Sequence, residues 1–385
     1  MIRKTLVLIH ILVVPFLVAS CGHKRPAGED KGGDTLLFRY ARNITVVKYP
    51  GGRYKVDMAD PWNAGKTLRS YILQDKREAE AATTQQPSAN ATVVDIPLSH
   101  CVVATSVHSE LFRALGCENA VAGVCDAPYV KSPWLQRRLR TNLTADCGNS
   151  MSPNVEKIVD LQPDALFLSP MQNSGGYGKA EHAGAPVVEL ADYMEPTALG
   201  RAEWIRFYAL LLGCPELGDS LFAETERNYN SLKSKAAQAK SKPTVIMDKT
   251  EGGIWYLPGG QSTIGQMVRD AGMAYVFAGE KSSGSIQRPF EAMLDSYGSS
   301  DLWLMRYFKP SNAPLTLREL ASENQGYSRF KAFRNRAVYG CNTATTSFFE
   351  ETPFRPDMLL RDFIIIAHPE IKGLGEARYF TRLNP

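Results

Sequence analysis

The residues able to bind a ligand or do chemistry fall into three groups. Lys249, Arg306 and Lys309 are cations that follow apolar segments, and charged donors in such loops favour an anionic ligand. Tyr129, Tyr177, Tyr193, Trp255, Tyr256, Tyr307, Phe348 and Phe349 hold the same kind of position, and aromatic faces suit a large planar or ring-bearing ligand. His108 opens a helical segment, where it can ligate a chelated metal or hydrogen-bond a ligand edge. Met171, Met194 and His182 are candidate axial ligands for haem iron. A bare metal ion is not expected, because His23, His100, His108, His182 and His368 do not cluster and zinc or manganese needs three or four convergent ligands. No catalytic residues are expected either. The chain has no G-x-S-x-G elbow, no G-x-x-x-x-G-K-[ST] loop and no G-x-G-x-x-G after a strand. The run Ser174-Gly175-Gly176-Tyr177-Gly178-Lys179 lacks the strand–turn–helix frame of a phosphate loop.

Composition agrees with binding by a few placed groups. The 385 residues are 44% apolar and 22% charged, with 44 Lys and Arg against 40 Asp and Glu. That is an ordinary globular make-up, long enough for two domains. It lacks the basic excess of a nucleic-acid binder. Two of the cations, Arg3 and Lys4, precede an apolar run from Leu6 to Val18. The run is too short for a membrane span of ~20 residues and fits a signal-peptide core. It ends in Val18-Ala19-Ser20-Cys21, which resembles a bacterial lipobox and implies cleavage before Cys21 and its acylation. Six further cysteines, Cys101, Cys117, Cys125, Cys147, Cys214 and Cys341, would then sit in an oxidising compartment. Their pairing cannot be deduced, and buried free thiols are expected at Cys101 and Cys125. The sequons at Asn43, Asn90 and Asn142 are read as chance.

The positioning elements follow from periodicity. A leader (1–20) and a polar, Gly-rich tether (21–34) precede a β-rich appendage and loop (35–91). The appendage is expected to turn a hairpin at Gly51-Gly52, with a further strand from Thr67 to Leu73. From residue 92 to 195 short apolar runs alternate with helices, as at Val155 to Leu161 followed by Ala165 to Leu168. This is the pattern of a parallel sheet covered on both faces. Residues 196–241 read as helix throughout. Leu217, Leu221, Phe222, Thr225, Tyr229, Leu232 and Ala236 form one stripe after Pro215. Strand–helix alternation resumes over 242–385. The fold class expected is α/β: two Rossmann-like lobes with parallel sheets, a long joining helix and an N-terminal β-rich appendage. Ligands of open parallel sheets bind beyond the carboxyl ends of the strands, which selects the loops that carry the residues named above.

These phrases resemble the substrate-binding proteins of iron-chelate and cobalamin ABC importers, over roughly residues 97 to 380. They are CVVATSVHSELFRALG (101–116), SPNVEKIVDLQPDALFLSP (152–170), AGAPVVEL (183–190), IWYLPGGQSTIGQMVRDAG (254–272), FEAMLDS (290–296) and FKAFRNRAVYG (330–340). The most specific is Leu161-Gln162-Pro163-Asp164 before an apolar strand. The resemblance implies a periplasmic lipoprotein, held to a bacterial membrane through Cys21. It would bind a metal chelate between two lobes, with little hinge motion, and serve an ABC permease and its ATPase as a monomer. A ferric siderophore is the first choice because of the cations, cobalamin the second and haem the third. It also implies that Glu156 and Glu291, one per lobe, dock onto permease arginines. The appendage and the phrase Leu199-Gly200-Arg201-Ala202-Glu203-Trp204 depart from the shorter members. A sensor or adhesion lipoprotein on the same fold is the alternative.

Overall fold

The computed structural model describes residues 33–76, 91–172 and 176–385. The leader, Cys21, nearly all of the tether and most of the 76–91 loop lie outside the described residues. No helix among the described residues is long and apolar enough to cross a membrane.

The N-terminal sheet has five strands in chain order: β1 (Asp34–Leu36), β2 (Ile44–Tyr49), β3 (Arg53–Ala59), β4 (Thr67–Asp75) and β5 (Thr92–Ile96). The expected hairpin forms, with Tyr49 opposite Arg53. Gly51 and Gly52 turn it at φ of 75° and 65°, which glycine adopts at no steric cost. The β5 strand pairs parallel with β4, so the boundary expected at 91/92 falls inside this sheet. Nor is the sheet an appendage in the packing sense. Val46, Val56, Met58, Tyr71 and Val94 are completely buried in one core with Phe112, Phe167 and Tyr208 of the first lobe.

The first lobe is a five-stranded parallel sheet. Its strands are β6 (Cys101–Val103), β7 (Val121–Val124), β8 (Ala145–Asp146), β9 (Ala165–Leu168) and β10 (Val187–Glu189), in the order β10-β9-β6-β7-β8. Helix α1 (Ser106–Ala114) follows β6, and α2 (Val155–Leu161) precedes β9. The second lobe repeats the plan with β11 (Thr244–Met247), β12 (Ala274–Tyr275), β13 (Leu302–Tyr307), β14 (Val338–Asn342) and β15 (Thr381–Arg382), in the order β12-β11-β13-β14-β15. Only β15, at the edge, runs antiparallel. Both sheets read as unbroken apolar runs because both faces are covered.

The joining segment holds three helices, two short ones, α3 (Ala198–Glu203) and α4 (Ile205–Leu211), and the expected long one, α5 (Pro215–Ala236). Gly213, at φ 75°, ends α4, and Pro215 starts α5, where its missing N–H costs nothing. The 22 residues of α5 rise about 33 Å, which carries the chain from one lobe to the other. Phe222 packs into the first core and Tyr229 into the second. Leu217, expected on the buried stripe, is exposed; Gly218 takes the buried position there, against Ala209. The second lobe then uses α6 (Phe290–Tyr297), α7 (Phe348–Glu351) and α8 (Pro356–Ala367).

Residues 39–43 form a strap across this hinge. The fully buried Glu203 carboxylate accepts backbone N–H groups from Arg39 (2.9 Å), Tyr40 (2.8 Å) and Ala41 (2.9 Å). Glu195 accepts those of Arg42 (2.8 Å) and Asn43 (2.9 Å) and the Trp204 indole (2.9 Å). The Tyr40 hydroxyl donates to Glu226 of α5 at 2.7 Å. Strap donors and buried carboxylates satisfy one another, which offsets part of the desolvation cost, although burial still holds the Glu195 carboxyl above its ordinary pKa.

Candidate functional site

The carboxyl ends of the two sheets face a common hinge, and a cavity of about 190 Å³ lies there. It is bordered by Val107 of α1, Arg201 of α3, Ile264, Arg306 at the end of β13, and Phe348 and Phe349 of α7. Both lobes and the joining segment therefore contribute to one space. The lobes also touch beside it, where the Ser106 hydroxyl donates to Glu350 at 3.5 Å.

Each arginine is held by an aspartate at a strand end. Asp192 follows β10 and is completely buried. Its Oδ2 accepts from Arg201 Nε at 2.8 Å and its Oδ1 lies 2.9 Å from His108 Nε2. Burial alone would raise its pKa, but His108 and Arg201 beside it hold the carboxyl below its ordinary value. Asp248 follows β11 in the left-handed conformation, φ 56°. Its Oδ1 accepts from the Arg306 backbone N–H (3.1 Å) and Nε (3.0 Å), and its Oδ2 from Nη2 (2.5 Å). Among the described residues neither Nη group of Arg201, nor Nη1 of Arg306, has a protein acceptor. The cavity thus presents spare guanidinium donors, fixed in direction, beside two phenylalanines. Such donors beside aromatic faces are chemically suited to an anionic, partly apolar group.

The structure sorts the sequence-predicted residues. Arg306 and Phe348 line this cavity. Met171 and Tyr177 line a second, of about 610 Å³, at the ends of β6 and β9 in the first lobe. The Tyr177 phenol is buried there near Glu189, and burial holds its pKa well above the ordinary value. Tyr129 and Tyr193 keep exposed rings on strand-end loops and Tyr256 on the short strand Ile254–Pro258, with the Tyr193 hydroxyl donating to the Pro170 carbonyl at 2.5 Å. Phe308, two residues after Arg306, is 62% exposed, and the Lys131 ammonium lies 5.9 Å from its ring centre.

Four expectations are corrected. His108 is 2% exposed, its Nδ1 lies 2.7 Å from the Thr105 hydroxyl and its ring packs against Tyr208 and Phe354. With both nitrogens engaged it orients Asp192 and has none left for a ligand. Trp255 is completely buried between Phe290, Trp303 and Phe330, its indole N–H donated to the Met247 carbonyl at 2.8 Å. Adjacent residues of a strand face opposite ways, so Tyr256 points outward and Trp255 cannot. Lys249 pairs with Glu323 and Lys309 with Glu319, and neither borders the cavity. Glu156 and Glu291 are exposed in the first turns of α2 and α6, with no ion pair among the described residues. Arg201 was missed. Its signal is a lone arginine within the apolar run Ala198-Leu199-Gly200-Arg201-Ala202, twelve residues after the end of β10.

Residues 101–345 match the periplasmic binding protein family, so the chain belongs to that family of two-lobed binding proteins. An uncharacterized lipoprotein of Methanocaldococcus jannaschii is 23% identical over 370 residues, covering 91% of this chain and 86% of its own. A periplasmic heme binding protein from Pseudomonas aeruginosa aligns with a TM-score of 0.59 at 17% identity, over 75% of this chain and 99% of that one. An ABC-type Fe3+-hydroxamate transport system protein from Saccharomonospora viridis aligns at 0.53 and 17%, over 70% and 93%. Likeness at these identities shows the fold, in which two mostly parallel α/β lobes share one long helix.

Proposed function

We propose that this protein is the substrate-binding lipoprotein of an ABC importer, and that it carries an anionic metal chelate, a ferric siderophore before cobalamin or haem. The observation that carries the reading is the pair of aspartate-held guanidiniums, Arg201 and Arg306, lining one cavity between the lobes. At about 190 Å³ this space is smaller than the ~300–1,000 Å³ of most ligand pockets. It receives the anionic edge of the chelate, while the ring-bearing remainder rests on Phe349 and the strand-end aromatics. Two structural neighbours, a periplasmic heme binding protein and a protein of an Fe3+-hydroxamate transport system, support the class of cargo. Glu156 and Glu291 dock onto the permease, and Cys21 carries the lipid anchor that holds the protein to the membrane.

Titration of the purified protein with a ferric siderophore, haem and cobalamin, followed by tryptophan fluorescence, tests the reading. Saturable binding of the ferric chelate, weakened in Arg201→Ala, is expected. Binding of none of the three would overturn the carrier function. Binding of cobalamin alone would overturn the anionic cargo.

A further inference from the structure

A groove of about 250 Å³ runs between the joining helix α5 and helix α8 of the second lobe. It shares no lining residue with the cavity between the lobes. Asn228, Ser231 and Lys235 stand on its α5 wall, spaced i, i+3 and i+7, which is one face of a helix. Arg355, Asp357 and Arg361 stand on the other. The walls thus carry three cations against one carboxylate. The cations are unequally occupied. Arg355 is gripped by Asp357 through Nε and Nη2, both at 2.9 Å, and the buried Asp357 also accepts from the Asn228 amide at 3.3 Å. Among the described residues the only carboxylate that Arg361 approaches is that of Asp362, 3.9 Å from Nη2, beyond hydrogen-bond reach. Asp362 cannot turn toward it, because it is held by the backbone N–H groups of Arg378 (2.8 Å) and Tyr379 (2.6 Å). Arg361 Nε is shut off from solvent with no acceptor, a state that folded chains rarely leave unmet. Lys235, exposed on the facing wall, has no ion pair among the described residues.

We propose that this groove binds a phosphate-type oxyanion, bridged between Arg361 and Lys235. A tetrahedral oxyanion accepts from several directions at once. It takes the Arg361 Nε–H from α8 and the Lys235 ammonium and Ser231 hydroxyl from α5, whereas a planar carboxylate offers its oxygens along one edge. The excess of two positive charges on the walls matches a dianion. Glu224 reaches Arg355 at 3.8 Å, but its side chain is 52% exposed, so solvent screens it. The volume is below the ~300–1,000 Å³ of pockets for larger ligands and suits a single phosphate group. Both lobes share α5 while α8 belongs to the second, so the bound anion pins that lobe to the joining helix. Free phosphate and a phospholipid headgroup offer the same chemistry.

The test titrates the purified full chain by calorimetry at constant ionic strength. One arm uses inorganic phosphate and the other dihexanoyl phosphatidylglycerol below its micelle concentration. Saturable phosphate binding is expected, weakened about tenfold in Arg361→Gln and in Lys235→Gln. A lipid response lost in the same variants makes a membrane headgroup the source, and a response to phosphate alone makes it the free ion. Without phosphate, the Tm of Arg361→Gln should not fall below the parent's, since the substitution removes an unmet donor. No saturable phosphate binding, or equal binding in both variants, would overturn the site. So would a lowered Tm of phosphate-free Arg361→Gln, because the guanidinium would then be satisfied within the protein. Loss of the response in Arg201→Ala instead would move the anion to the cavity between the lobes and overturn it as well.

Discussion

The two lobes solve the same problem with different anchors. In each, an aspartate at the carboxyl end of a strand aims an arginine at the shared cavity. In the first lobe Asp192 has no exposure and divides itself between Arg201 and His108, gripping the guanidinium only at Nε. In the second, Asp248 grips Arg306 at Nε and Nη2 together. The bidentate grip makes Arg306 the stiffer group and leaves it one free nitrogen. The single grip leaves Arg201 two, at the cost of a more deeply buried carboxylate. Donor capacity toward a ligand and dependence on a buried charge therefore rise together.

The comparison can be broken by ranking the anchors. Asp192→Asn leaves the Arg201 guanidinium without its buried counter-charge and should cost about 3 kcal/mol, read from urea unfolding. Asp248→Asn, which keeps a residue tolerant of the left-handed conformation, should cost about 2 kcal/mol. A reversed order would undo the contrast. The acid limb sharpens it. A carboxyl whose pKa is depressed in the folded state stabilises above its unfolded pKa of about 4 and loses that contribution as pH falls through the folded value. Stability below pH 4 should therefore fall less steeply in Asp192→Asn than in the parent.

Ligand affinity ranks the arginines in the same order. Arg201→Ala should weaken ferric-chelate binding about 100-fold and Arg306→Ala about 10-fold, from the donors each makes available. Equal losses would mean that donor number does not set the contribution. Next, Glu156→Arg and Glu291→Arg together should reduce cellular uptake about tenfold with affinity unchanged, since exposed interfacial charges govern encounter. A parallel fall in affinity would move these glutamates out of the docking role.

The smallest expected effect concerns a second likeness between the lobes. Asp164 stands before β9 and accepts the backbone N–H groups of Ser99 (2.7 Å) and His100 (3.0 Å), which lead into β6. Asp301 stands before β13 and accepts that of Thr244 (2.8 Å), which begins β11. Each ties the entry of one parallel strand to its neighbour. Asp301 adds Lys331 at 2.6 Å, and that ammonium with Thr244 lowers its pKa to about 2. Its side chain is 40% exposed, so screening leaves little of the pair. Asp301→Asn should lower Tm by about 2 °C at neutral pH, and the difference from the parent should vanish between pH about 4 and 2. A difference that persists at pH 2 would mean the backbone contact, not the charge, matters.

Local pattern made most of the frame legible. Helix α2, strands β9 and β11 and the hairpin at Gly51-Gly52 stand where the apolar spacing and turn residues put them, because each is decided within a few residues. The phrase ending in Pro163-Asp164 was recognisable, while its counterpart at Asp301 was not, since its role appears only when Thr244 lies beside it. What stayed hidden depends on distant partners. Trp255 and Tyr256 look equally suited to a cleft until the strand takes a face. Arg201 becomes a site residue only through Asp192, and the buried Glu203 reads as an ordinary helix-surface acid until residues 39–41 reach it. The change of rhythm at residue 92 marks a new strand, but its pairing with β4 is a contact that no local pattern encodes.

The strap has a mechanical consequence. Residues 39–43 are seated on Glu203, Glu195 and Glu226, all on or next to the helices that join the lobes. Tension applied through the chain upstream of Gly33 meets β1 first, which pairs with β2 in the sheet packed on the first lobe. The strap beyond it ties that sheet to α5, which both lobes share.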